Sequence, residues 1–252
     1  ALNGLSLELT EQEAEFMAGL TEVTAITKET YLQTTTDATA SMVKADDIWG
    51  GFNINPFSES QGEDIVIGVL DTGINLGHES FSDIPEDNYD FASHNPNGAD
   101  TFIGWCDPNH PNYDVSYVCN NKIIGAWDFV EATNGSSEND GPLDNNFHGS
   151  HMSGIISGNH ISAPPGGFVF SFGGGVLNAP FISGIAPHSH VIMYDVCDIR
   201  NNSVVCPSSA VLAAIDQAII DEVDVINLSL SGESNPWAQN SISLALLNAS
   251  NM

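Results

Sequence analysis

The chain has 252 residues, room for one domain of catalytic size or one domain with a small appendage. Hydrophobic residues make up 42% and charged residues only 15%, which excludes a disordered polyelectrolyte. Against 33 Asp+Glu stand only 4 Lys+Arg, a formal net charge of −29, so partners that demand cations, nucleic acid and anionic membrane surfaces, are not expected.

In chain order, Gly4 to Leu9 alternates with period two and predicts a half-buried strand. Thr10-Glu11-Gln12-Glu13 is a capping box that opens a short helix through about Leu20, and Val23 to Ile26 predicts a second strand. These elements form part of a small α+β unit over residues 1–36, with a polar linker or processing site at Thr34 to Thr39. From Asp64 the pattern becomes α/β. Ile65 to Leu70 is an unbroken apolar run, as a parallel strand buried on both faces requires.

Residues 83–146 are rich in Asp, Asn, Pro and Gly and predict mainly loops. His148 to Ser157 predicts a helix with small residues for close packing. Phe168 to Phe172, between Gly-rich flanks, predicts a hairpin or long excursion. Val191 to Val196 is a further strand. Ser208 or Ser209 caps a helix with the stripe Val211, Ile215, Ala218 and Ile219, and Val223 to Leu230 is another strand. Strand, helix, strand in this order gives an α/β domain with a mainly parallel sheet over residues 37–252.

No apolar run reaches the ~18–20 residues of a membrane span, and no signal peptide is recognised at the start. Four cysteines fall in two local pairs, Cys106 with Cys119 and Cys197 with Cys206. An even count in close pairs predicts two small disulfide loops and an oxidising compartment. Zinc is the rival, but there is no C-x-x-C and no histidine at ligand spacing. The acidity fits either solubility through repulsion or a saline setting, where screening removes the repulsion.

Two residues carry the chemistry. Asp71 follows the apolar strand directly, in Leu70-Asp71-Thr72-Gly73, and carboxyl ends of parallel strands are where functional groups gather. His148 opens a helix, where the dipole favours the neutral imidazole of a general base, and Gly149 is expected to leave its ring accessible. His151, one turn on, is a second functional residue or a packed one. Without H-E-x-x-H, metal catalysis through these histidines is disfavoured.

Asp71-Thr72-Gly73-Ile74, His148-Gly149-Ser150-His151, Gly184-Ile185-Ala186-Pro187 and Asp224-Val225-Ile226-Asn227-Leu228-Ser229-Leu230-Ser231-Gly232, in this order, resemble subtilisin-like serine proteases. The resemblance covers roughly residues 60–252, and the start looks like the tail of a subtilase propeptide. It implies a three-layer α/β fold and a secreted, zymogen-derived endopeptidase acting through a Ser-His-Asp triad, with Asp71 as orienting carboxylate and His148 as general base. It also implies that Ser229, Leu230, Ser231 and Gly232 line the substrate cleft. The family usually has Gly where Ser231 stands.

The resemblance places the nucleophilic serine in a Gly-Thr-Ser-Met-type segment downstream of Met252, so this truncated chain alone is expected to be inactive. Its expected partners are polypeptide substrates, its own propeptide and the remainder of the peptidase domain. Catalysis needs no cofactor. Structural calcium is possible in subtilases, and the candidate acidic loops are Asp83 to Asp90 and Glu138 to Asp144. The alternative is a non-catalytic peptide-binding module on the same fold.

Overall fold

The computed structural model describes residues 9–23, 26, 42–50, 59–130, 141–165, 167–172, 175–200, 203–231 and 241–250. The chain divides into two compact units, Ala1–Thr34 and Thr35–Met252. In the first, helix α1 (Glu11–Ala18) starts at the expected capping box. The Glu13 amide donates to Thr10 Oγ1 at 3.3 Å and the Thr10 amide donates to Glu13 Oε2 at 2.8 Å. None of its residues is buried. The strand expected over residues 4–9 falls almost wholly outside the described residues, as does the middle of the one expected over 23–26.

The second unit contains, in order, α2 (Ala45–Trp49), β1 (Val66–Asp71), α3 (Phe91–His94), β2 (Ile103–Gly104), β3 (Ile123–Asp128), α4 (His148–Ser157), β4 (His190–Asp195), α5 (Ser208–Ile220), β5 (Val225–Asn227) and α6 (Ser241–Ala249). The five strands form one sheet in the order β5-β1-β4-β3-β2, and every neighbouring pair is parallel. Among the described residues, three antiparallel ribbons lie outside it. One pairs Phe168–Phe172 with Gly175–Ala179, the hairpin expected from sequence, and another pairs Asp198–Arg200 with Ser203–Val205.

The alternation along β1 explains the layers. Val66 and Leu70 join Ile192, Tyr194 and the α5 residues Val211, Ala214, Ile215 and Ala218 in one buried cluster. Ile67 and Val69 join Ile123, Ala126, Val191 and Met193 in the other, against which Ile156 of α4 packs. Helices therefore cover both faces of a parallel sheet, an α/β three-layer arrangement in which β1 is buried throughout. Both expected disulfides, Cys106–Cys119 and Cys197–Cys206, are formed.

Loops dominate the described part of residues 83–146, as expected, and they carry β3, a strand of the sheet's interior with Ile123, Ile124 and Ala126 buried. The structure corrects two local expectations. The residue capping α5 is Pro207, with no side-chain cap bond from Ser208 or Ser209. The apolar run Val223 to Leu230 pairs only over Val225–Asn227, while Val223, Leu228 and Leu230 pack against the core cluster without joining the ladder.

Candidate active site

The parallel sheet aligns its strand ends. Asp71 of β1 pairs with Asp195 of β4, and Asp195 with Asp128 of β3, so three carboxylates stand side by side along the carboxyl edge. Asp71 is fully buried. Its Oδ1 accepts from the Thr72 amide at 2.8 Å and lies 2.7 Å from His148 Nδ1. The carboxylate can only accept, so Nδ1 carries the proton in this pair and Nε2 holds the lone pair of the neutral ring. The His148 side chain is 41% exposed, which makes that second nitrogen available to a reacting group.

Helix α4 is brought to the end of β1 by a close backbone approach. A Cβ on Gly149 would overlap the Gly73 carbonyl oxygen and lie 3.1 Å from the Thr72 nitrogen. Gly149 thus has a role beyond the expected one of leaving the His148 ring accessible: its hydrogen lets the helix touch the strand. Gly73 itself has φ +90° and would place a Cβ 2.7 Å from the Leu143 carbonyl carbon, while the Ile74 amide donates to Pro142 O at 3.0 Å.

Two residues that sequence reasoning passed over join this contact. Thr72 Oγ1 accepts from the Gly149 amide at 2.9 Å and donates to Asp144 Oδ1 at 3.0 Å. Asp144 also accepts from the amides of Phe147 at 2.7 Å and Ser150 at 2.8 Å. The available signal was Asp144-Asn145-Asn146 just ahead of His148, since an Asp side chain readily accepts from backbone amides two or three residues on.

His151 is exposed and lines a cleft of about 380 Å³ with Asn75, His78, Phe147 and Ile155. Ser229 and Ser231 are exposed and Leu230 half-buried, on the chain leaving β5 beside β1; Gly232 lies outside the described residues. The Ser229 hydroxyl donates to Asn227 Oδ1 at 3.0 Å.

In the loops considered for calcium, protein donors occupy several carboxylates. Asp83 accepts from the Asn121 amide, Glu86 from the Ser162 amide, Asp87 from His188 and Asp144 from α4. Residues 138–140 lie outside the described residues. Among the described residues no three His, Cys, Asp or Glu side chains gather as metal ligands. Among the same residues no helix is long and apolar enough to cross a membrane.

A sequence model described as the subtilase family matches residues 62–251. Subtilisin-like protease SBT2.1 of Arabidopsis thaliana is 32% identical over 259 residues, which take in 98% of this chain and 28% of that protein. Subtilisin-like protease SBT1.2 of the same plant is 32% identical over 260 residues, covering 99% of this chain and 30% of its own. The chain thus spans less than a third of the length of these relatives. The solved structure of the Clostridium perfringens CspB protease aligns with 85% of this chain and 39% of its own, at 20% identity and a TM-score of 0.46.

Proposed function

The chain belongs to the subtilase family, and on that membership we propose that it supplies the orienting carboxylate and the general base of a secreted serine endopeptidase. The observation that carries the reading is the 2.7 Å contact between buried Asp71 and half-exposed His148 at the carboxyl edge of a parallel sheet. Asp71 holds the ring in the Nδ1–H tautomer. Nε2 then takes the proton of a serine hydroxyl as that oxygen attacks the scissile carbonyl, and returns it to the leaving amine. The buried carboxylate stabilises the imidazolium formed between these two transfers.

The nucleophilic serine is proposed to come from a segment outside these 252 residues. Ser150 Oγ accepts from the Asn75 amide, and Ser153 is fully buried. Ser229 to Gly232 is proposed as one wall of the cleft, where an extended polypeptide adds to the chain leaving β5. Secretion accords with the two disulfides. Residues 1–36 are proposed as propeptide, and a structural calcium remains part of the proposal, to be tested with the salt dependence below.

The experiment is peptide hydrolysis by the full-length protein and by residues 1–252. Turnover by the former, lost on His148→Ala by a factor of about 10⁴ or more, is the expected result, with none from the latter. Full-length protein that binds peptides but neither cleaves them nor reacts with a serine-directed phosphonate would replace the proposal with the peptide-binding module.

A further inference from the structure

His148 is the first residue of α4, yet the residue before it does not cap the helix: Phe147 stands at φ 71° and makes no side-chain cap bond. That backbone conformation is costly for a residue with a Cβ, so something must hold it. Asp144 does. Its Oδ1 accepts from the Phe147 amide at 2.7 Å and the Asn146 amide at 3.0 Å, and its Oδ2 accepts from the Ser150 amide at 2.8 Å. One carboxylate thus grips the chain on both sides of His148.

The same carboxylate is tied to Asp71. The Thr72 hydroxyl accepts from the Gly149 amide, so its single proton is directed to Asp144 Oδ1 at 3.0 Å, while the Thr72 amide donates to Asp71 Oδ1. Asp71 Oδ1 is the atom that faces His148 Nδ1. The hydrogen bonds close a ring: Asp71 to Thr72, Thr72 to Asp144, Asp144 to the amides flanking His148, and His148 to Asp71.

We propose that Asp144 is a positioning residue for the Asp71–His148 pair, setting the imidazole in register with the carboxylate by anchoring both the start of α4 and the end of β1. Its catalytic consequence rests on the proteolytic reading above, but the geometry it enforces does not. An Asn at 144 keeps one acceptor oxygen and turns an NH₂ toward donors that need an acceptor. An Ala removes every bond.

The test has two arms. In the 252-residue chain, ¹⁵N-labelled histidine reports the ring tautomer of His148 at a pH where the ring is neutral, assigned by its absence in His148→Gln. The parent is expected to hold the Nδ1–H tautomer. Asp144→Asn and Asp144→Ala are expected to shift it to a mixture of both tautomers, with the far-ultraviolet circular dichroism of Asp144→Asn unchanged. A single Nδ1–H tautomer in Asp144→Asn overturns the proposal, whether or not Asp144→Ala folds.

In the full-length protein, Asp144→Asn is expected to lower kcat by about 10²-fold with KM within about twofold, as misplacement of a reacting group by roughly 1 Å does. A raised KM with kcat unchanged also overturns it. If the full-length protein shows no turnover at all, the proteolytic reading fails while the tautomer arm still decides the role of Asp144.

Discussion

His188 is held between two carboxylates. Its Nδ1 lies 2.7 Å from Glu63 Oε1 and its Nε2 2.8 Å from Asp87 Oδ2, with the ring stacked on Tyr89 at a centroid distance of 4.0 Å. The contact joins the segment entering β1, the loop after the 3₁₀ turn Glu79–Phe81, and the residues leading into β4. Partial burial is the largest single influence on Glu63 and pushes its carboxyl up. Hydrogen bonds from His188, the backbone amides of Glu63 and Gln61 and the Ser60 hydroxyl together outweigh it and hold the group at about 2 instead of 4.5. Asp87 is lowered in the same way, burial opposed by His188 and the Tyr89 amide. A carboxyl depressed on folding adds stability that is complete above its unfolded value and is lost as pH falls through its folded value. For Glu63 that window runs from 4.5 down to about 2. Thermal midpoints measured across it should fall more steeply for the parent than for Glu63→Gln, by the uptake of up to about one proton. Parallel curves would show that the contact adds nothing in acid. At this scale the sequence told only part of the story. Asp71 and His148 were legible because a strand end and a helix start each announce themselves locally. Asp144 and Thr72 were not, because their roles exist only once β1 and α4 touch, and Asp144 sat in a loop whose acids suggested a cation instead.

Elements were legible where burial is uniform along them and illegible where it is not. The apolar run Ile65 to Leu70 marked β1 to within one residue, since both faces of that strand meet helices. β3 was hidden, since only Ile123-Ile124-Gly125-Ala126 is buried and its surroundings are turn residues such as Asn120 and Asn121, whose side chains hold the loop that precedes the strand. The contact of α4 with the end of β1 gives an element-scale prediction with an internal control. Gly149→Ala forces a methyl group into the Gly73 carbonyl, so α4 must move away from Asp71; a cost of about 1–3 kcal/mol is expected in urea denaturation. Gly154, in the same helix, has nothing within 4 Å of its added Cβ, and Gly154→Ala should be neutral or stabilising by up to about 1 kcal/mol. Equal effects at both positions would mean that the close approach does not set where the helix sits.

Over the whole molecule, charge is the dominant long-range term. The 33 Asp+Glu are opposed by only 4 Lys+Arg, leaving a net charge of −29. One of these, Lys122, is itself fully buried, donating to Pro187 O at 2.6 Å and Ser189 O at 2.8 Å over the Phe91 ring, and burial pulls its pKa well below the ordinary lysine value. It stitches the start of β3 to the start of β4 and does little to neutralise the surface. Among the described residues every ion-pair contact to a carboxylate comes from a histidine ring, which carries charge only when protonated: His94 with Asp64, His148 with Asp71, and His188 with Glu63 and Asp87. The folded chain brings its acids closer together than the unfolded chain does, so it carries a repulsion that counter-ions relieve. The screening length falls from about 30 Å at 0.01 M to about 3 Å at 1 M salt. The thermal midpoint should therefore climb steadily as NaCl is raised over that range, and KCl should act equally, because screening depends on ionic strength and not on the cation. A gain confined to low millimolar CaCl₂ and reversed by EDTA would instead assign the effect to a bound divalent ion. No response to either salt would mean that the acids are spaced widely enough for water alone to separate them.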